Sequence, residues 1–266
     1  MKRTEMIELM DEMETIGDFN CHICPPNENY VQVTSNYDYE QKGLLKTPIS
    51  CLTSNIFKLA SIGFARYFDL KVVGKKNLKY VKKTGAILTC NHVHKLDCTL
   101  IRYATIRRKL KIIVGEFNNF RGFGGKVLRS ACTMPLSKDV KCIKNLYRAT
   151  GKFLDKKEFI LFYPEGSLWY CYEKPRPLNT GAYHFAVKFN VPVVPMFFTF
   201  KNKKKRKDGT YVKQFILHIG KPIYKQNDLT DKENIQVLKK ANELFNKSVY
   251  EEFYQKPLVY KNEVKH

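Results

Sequence analysis

The residues best suited to acid–base chemistry are His92 and Asp97, five positions apart and directly after the apolar run 86–90. Short apolar runs are typical of buried strands, and a side chain that follows such a strand faces the crevice where α/β sheets bind ligands. A carboxylate in the first turn of the next helix can accept a hydrogen bond from the imidazole Nδ1, which leaves Nε2 free to accept a proton. The spacing fits a pair in which His92 deprotonates a hydroxyl while Asp97 orients its ring.

Two other interpretations of this stretch remain open at this point. His94 is an alternative base, because it lies three residues before Asp97. Asp97 can also act purely as a helix cap, since Asp is a preferred residue at helix N-termini. The spacing alone does not decide among the three.

A second polar stretch, Tyr163-Pro164-Glu165-Gly166-Ser167, ends the apolar run that starts at Phe159. Pro164 stops the strand because it has no N–H for the sheet, and Gly166 allows the backbone to approach a ligand closely. Glu165 is then a carboxylate at the mouth of the sheet, where it can bind the hydroxyl groups of a substrate. A solvated glutamate in a strand-ending turn fits the same pattern.

Together these stretches resemble the glycerolipid acyltransferase family typified by the lysophosphatidic acid acyltransferases, over about residues 71–223. Four blocks in one order are far more specific than any single block. They are Asn91-His92 with Asp97 for N-H-x-x-x-x-D, Met134 to Lys138 for F-P-V-D-R, Tyr163 to Ser167 for F-P-E-G-T, and Val191 to Pro195 for V-P-I-V-P.

The resemblance implies a glycerol-3-phosphate acyltransferase-like fold and an O-acyltransferase activity. It selects His92 over His94 as the general base, and it implies that Glu165, Gly166 and Ser167 contact the acceptor. The implied donor is acyl-CoA or acyl carrier protein, and the implied acceptor is a lysolipid. We expect direct transfer without a covalent enzyme intermediate, and neither a cofactor nor a metal ion.

Two positions depart from the family pattern. Where the family has arginines thought to hold an acceptor phosphate, this chain has Lys138 and Leu168. Lysine keeps the charge but lacks the bidentate fork of arginine, and leucine supplies neither. The departures put a simple lysophosphatidate or glycerol 3-phosphate acceptor in doubt.

Two further stretches are candidates for substrate contacts. The glycine-rich run from Arg121 to Lys126 is interpreted as a loop that contacts a phosphate of the acceptor or donor, since backbone N–H groups can cradle anions. The stretch around Trp169, Tyr170 and Tyr172, with Lys174 and Arg176, can form an aromatic wall with a cationic rim. A packed surface loop fits the same residues.

The elements that must position these residues alternate between strand and helix patterns, which indicates an α/β fold with a mixed central sheet flanked by helices. Residues 1–43 are predicted to be an N-terminal helical extension, and residues 44–266 the acyltransferase domain. A short strand closed by a turn is predicted at 71–78. Further predicted strands lie at 86–90, 111–114, 134–136, 159–163, 193–200 and 214–219, and predicted helices at 97–107, 141–154, 181–190 and after the capping box at 230.

The charge balance indicates an anionic partner. The chain has 266 residues with 47 Lys and Arg against 25 Asp and Glu, a formal net charge of +22. An anionic membrane surface attracts such a protein, whereas nucleic acid is not expected because no reading motif is recognisable. A lysine-rich proteome would give the same charge without any partner.

The stretch 44–70 has apolar residues at helical spacing, interrupted by Pro48, Lys58 and Arg66. It is too interrupted to span a bilayer, but it fits an amphipathic helix that lies in the headgroup plane or one that packs on its own domain. Without a secretory signal, and with eight scattered cysteines, we expect a peripheral protein on the cytoplasmic face of a membrane. A membrane-binding protein that has lost catalysis is the main rival interpretation, and a nucleic-acid binder a lesser one.

Overall fold

The computed structural model describes residues 1–40, 46–137 and 139–263. Its strands are β1 Lys71–Val73, β2 Ala86–Thr89, β3 Leu110–Val114, β4 Thr133–Pro135, β5 Phe159–Phe162, β6 Val193–Lys205 and β7 Tyr211–Ile219. They form one seven-stranded sheet in the order β1-β7-β6-β2-β5-β3-β4. The β6–β7 pair is antiparallel and the other neighbouring pairs are parallel, so the predicted mixed α/β sheet is confirmed.

The helices cover both faces of this sheet. They are α1 Arg3–Ile16, α2 Lys46–Tyr67, α3 Asp97–Ala104, α4 Gly122–Ala131, α5 Val140–Asp155, α6 Gly181–Lys188 and α7 Asp231–Tyr254. Successive side chains of β2 point to opposite faces of the sheet. Ile87 packs in the core under α5, α6 and α7, and Leu88 packs in the core under α2 and α3. Burial on both faces explains why the central strands are continuous apolar runs.

The register of the central strands brings the two polar stretches together. β2 and β5 are parallel, with Thr89 opposite Phe162. The residues that follow each strand, Asn91-His92 on one and Pro164-Glu165 on the other, therefore leave the same edge of the sheet side by side. Gly166 has φ +81°, a backbone conformation that glycine adopts without strain.

Residues 17–40, which we call the N-terminal strap, contact the segments that follow β3, β4 and β5. The Val31 N–H donates to the Asn119 carbonyl over 2.8 Å, and the Tyr39 hydroxyl donates to the Pro135 carbonyl over 2.9 Å. The predicted boundary at residues 43 and 44 lies outside the described residues. The predicted helix at 44–70 corresponds to α2.

The prediction of a loop at Arg121 to Lys126 is wrong, because α4 begins at Gly122 with Arg121 at its N-cap. A side chain at Gly125 would lie 1.8 Å from the Phe120 carbonyl oxygen. The glycine therefore allows the helix to pack closely on the preceding turn. No helix in the described residues is long and apolar enough to cross a membrane.

Candidate active site

His92 and Asp97 form a hydrogen-bonded dyad. The distance from His92 Nδ1 to Asp97 Oδ2 is 2.8 Å, and the side chain of His92 is 24% exposed whereas that of Asp97 is 1% exposed. A buried carboxylate on Nδ1 fixes the proton on that nitrogen and leaves Nε2 as the acceptor. The dyad has the geometry of a general base with its orienting group.

Asp97 is held by the loop that it closes. Its Oδ2 also accepts from the backbone N–H of Val93 at 3.1 Å and of His94 at 3.3 Å, and its Oδ1 accepts from the Tyr163 hydroxyl at 2.5 Å. These donors satisfy a carboxylate that burial would otherwise penalise. Asp97 is the first residue of α3, and the N-cap Leu96 makes no side-chain cap hydrogen bond, so the Asp97 carboxylate holds the preceding loop and His92 rather than capping the helix.

Asn91 attaches the start of this loop to the sheet, a role that the sequence analysis did not assign. Its amide donates to the Phe198 carbonyl over 3.1 Å and accepts from the Phe198 N–H over 2.8 Å. With these two bonds the Asn91 side chain takes the place of a backbone partner and extends the pairing of β2 with β6. An asparagine directly after a buried strand was the signal available in the sequence.

His94 lies in an aromatic environment and is already engaged as an acceptor. The Leu96 N–H donates to its Nδ1 over 3.1 Å, and its ring centroid lies 5.0 Å from that of Phe68 and 5.7 Å from that of Tyr170. Burial lowers the pKa of His94. The geometry agrees with the choice of His92 as the base.

Glu165 contacts the backbone of His92 and forms a buried ion pair with Arg176. The distance from Arg176 Nη2 to Glu165 Oε2 is 2.8 Å, with side chains 1% and 2% exposed. The Arg176 N–H donates to Oε1 over 3.1 Å, and the His92 N–H donates to Oε2 over 3.2 Å. The expectation of a carboxylate open at the mouth is therefore wrong, and contact with acceptor hydroxyls stays a prediction.

Arg176 holds the turn that contains Ser167 and joins it to the N-terminal strap. Its guanidinium donates to Ser167 Oγ over 2.7 Å, to the Ser167 carbonyl and to the Phe19 carbonyl over 3.0 Å. Burial lowers the pKa of Arg176, and the nearby Glu165 opposes that shift. All these contacts are internal, so the predicted cationic rim is wrong for this residue.

The predicted aromatic wall is wrong for Trp169, which is fully buried. Its Nε1 donates to the Cys21 carbonyl over 3.0 Å, and Arg176 lies over its ring at 4.8 Å. The Trp169 N–H also donates to the His92 carbonyl over 3.0 Å. The loop is a packed structural element that fixes the backbone of the dyad.

Two of the three predicted phosphate-binding cations, Arg121 and Lys126, lie in the described part of the chain, and neither has a described hydrogen bond to the dyad or to the Glu165 turn. Arg121 donates to the Tyr30 carbonyl over 3.0 Å, and Lys126 is exposed on α4. Lys138 lies outside the described residues. Their contacts with substrate stay predictions.

The two cysteines that flank the dyad are poor nucleophiles. Burial raises the pKa of the Cys90 thiol well above its ordinary value and also raises that of Cys98. A thiol attacks as its thiolate, which a buried apolar environment disfavours.

Comparison with known proteins identifies the class. The family model described as Acyltransferase matches residues 69–199. The crystal structure of the 1-acyl-sn-glycerophosphate (LPA) acyltransferase PlsC from Thermotoga maritima is similar in fold, with a TM-score of 0.56 and 18% identity over 78% of this chain and 83% of that chain. No curated protein matches the chain in sequence. The dyad and the Glu165 turn both lie within the matched residues, so the part of the chain that matches the Acyltransferase model carries both.

Proposed function

We propose that this acyltransferase moves a fatty acyl group from a thioester to a hydroxyl of a lysophospholipid or related glycerolipid, with His92 as the general base. The thioester is that of coenzyme A or of acyl carrier protein. The observation that carries the proposal is the 2.8 Å contact between His92 Nδ1 and the buried Asp97 carboxylate. It leaves Nε2 as the acceptor on a side chain that is 24% exposed, at the edge of the sheet where the Glu165 turn also lies.

The reaction is a direct transfer. His92 Nε2 takes the proton of the acceptor hydroxyl, and the oxygen adds to the thioester carbonyl. The C–S bond then breaks to give the ester, and the leaving thiolate receives the proton from the imidazolium. Asp97 stabilises the imidazolium while it exists. A positioned base of this kind contributes about 10²–10⁴ in rate.

Glu165 supports the base through the backbone. The Glu165 carboxylate accepts the His92 N–H and is also paired with Arg176. The proposed base and the Glu165 turn are therefore held in one arrangement. Positioning of this kind lowers the entropic cost of reaching the transition state.

We also propose that the protein works on an anionic membrane surface at the cytoplasmic face. α2 packs its inner aromatic residues on the core, yet it presents an outward apolar stripe of Ile49, Leu52, Ile56 and Leu59. Such a stripe, together with a net charge of +22, suits a helix lying among lipid headgroups. An acidic carrier protein would suit the same charge.

The test is a screen for thiol release and ester formation, with acyl-CoA and acyl carrier protein donors against a panel of lysolipids. His92→Ala should abolish both products with an unchanged unfolding transition. His184→Ala, which removes an exposed histidine on α6, is the matched control and should be fully active. Normal turnover by His92→Ala would refute the assignment of the base.

The same screen, run beside assays of vesicle binding and of DNA binding, separates the rival functions. Binding to anionic vesicles without product in any arm would indicate a membrane-binding protein without catalysis. Salt-sensitive binding to DNA without lipid binding would indicate a nucleic-acid binder.

A further inference from the structure

Tyr163 contacts both members of the dyad with two different parts of its side chain. Its hydroxyl donates to Asp97 Oδ1 at 2.5 Å, the oxygen that does not face His92. Its ring stacks on the His92 imidazole, with centroids 4.1 Å apart and planes 17° apart. The position follows β5 directly, so the sheet itself fixes the ring.

We propose that Tyr163 is a positioning residue of the acyltransferase, whose hydroxyl locks the Asp97 carboxylate and whose ring locks the plane of His92. The inference rests on the proposed role of His92 as the base.

The hydroxyl completes the set of donors around Asp97. Oδ2 is occupied by His92 Nδ1 and two backbone N–H groups, so Tyr163 is the donor that meets Oδ1 among the described contacts. A carboxylate held at both oxygens cannot rotate about its Cβ–Cγ bond. Oδ2 therefore keeps its alignment with Nδ1 through the catalytic cycle.

Tyr163 remains a donor at working pH. Burial, followed by the nearby Asp97 carboxylate, raises its pKa well above the ordinary value of a tyrosine. Donation to Asp97 also draws electron density from the carboxylate. Its pull on the imidazolium is thereby moderated.

Mutation can separate the effect of the ring stack from that of the hydroxyl. The family block that this stretch resembles has phenylalanine at the corresponding position, so the ring is shared and the hydroxyl is what this chain adds. Tyr163→Phe keeps the stack and removes the donor, whereas Tyr163→Leu removes both. Tyr183→Phe is the matched control, because Tyr183 is also buried and its hydroxyl donates to Asn242 over 3.1 Å, away from the dyad.

The experiment measures kcat and KM against pH for the full chain with acyl-CoA and the lysolipid that the screen identifies. Tyr163→Phe should lower kcat about tenfold, the lower range for a hydrogen bond to a charged group, with KM nearly unchanged. The acid limb of its profile should move to higher pH, because an Asp97 carboxylate without the Tyr163 donor attracts the positive charge of the imidazolium more strongly. Tyr163→Leu should lower kcat further, and Tyr183→Phe should leave profile and kcat as in the parent protein.

The other titratable groups facing the dyad are Cys90, Cys98, His94 and the Glu165–Arg176 pair, all unchanged in these variants. An acid limb that stays in place in folded Tyr163→Phe, or a change that appears in KM alone, overturns the inference. If Tyr163→Phe gives either of these results while His92→Ala is inactive in the same assay, the inference fails but the proposed function stands. If His92→Ala is fully active, the proposed base fails and the inference fails with it.

Discussion

Arg176 donates to both oxygens of the Glu165 carboxylate, with its backbone N–H on Oε1 and its guanidinium on Oε2. Arg176, eleven residues after Glu165, thus holds the Glu165 turn from inside the protein. In the family pattern, the arginine near this turn follows it directly, at the position of Leu168. The chain has an arginine at the turn, but it is engaged by protein atoms.

Replacing Arg176 should therefore act first on stability. Arg176→Met leaves Glu165 charged and buried without its partner, which typically costs about 3–5 kcal/mol in the free energy of unfolding. Chemical denaturation measures this loss. Lys239→Met is the control, since it breaks a partly exposed pair with Glu243, one turn away on α7, and should change stability by roughly 0.5 kcal/mol or less. Equal effects of the two changes would contradict the buried pair.

The carboxylate of Asp97 should control turnover. Asp97→Asn keeps an oxygen for the neighbouring N–H groups but removes the charge that stabilises the imidazolium, so kcat should fall about 100-fold or more. Steady-state kinetics with a folded variant gives the result. A fall of less than about threefold would show that the dyad is not the base system.

His94 should be dispensable for turnover. His94→Ala removes a ring that packs on Phe68 and accepts from Leu96, so we expect some loss of thermal stability and a kcat within roughly threefold of the parent, because the base at His92 is intact. If His94→Ala were inactive and Asp97→Asn active, the assignment of the two histidines would be reversed.

Removing the apolar stripe of α2 should weaken vesicle binding. Leu52 and Leu59 are 62% and 69% exposed, and inserting each into lipid contributes about 1.5 kcal/mol or more. Leu52→Ser with Leu59→Ser should lower partition into anionic vesicles by roughly 100-fold in a sedimentation assay. Leu244→Ser, at a leucine 55% exposed on α7, should bind as the parent does.

Acid should destabilise the fold through His218. Burial lowers its pKa from 6.5 to about 4, and its Nε2 lies 2.9 Å from Thr199 Oγ1. Between these two values the unfolded chain binds the proton and the folded chain does not, so stability is lost as the pH falls through this window. His218→Gln should reduce the drop in melting temperature between pH 7 and pH 5, about one unit above the folded pKa. His184→Gln should not.

Local patterns predicted the fold well because burial dictates them. The runs that became β2 and β5 are apolar at every position except Thr89, as is typical of strands buried on both faces. The Asp97 spacing likewise fixed a contact within one loop. Such short-range relations depend on few residues and survive in the sequence.

The contacts that were missed depend on the path of the chain. Nothing in the spacing of Arg176 indicated that its loop folds back on Glu165, and Trp169 meets Cys21 across 148 residues. The glycines of α4 looked like a loop because close packing of Gly125 on Phe120 is a tertiary effect. Long-range packing overrode the local signal at each of these positions.

The N-terminal strap also has a consequence for how the molecule is made. Its residues leave the ribosome long before Trp169 and Arg176, whose side chains donate to the carbonyls of Cys21 and Phe19. Contacts of such sequence separation close large loops, which slows folding. These contacts of the strap therefore cannot form during synthesis until the second half of the chain has been made.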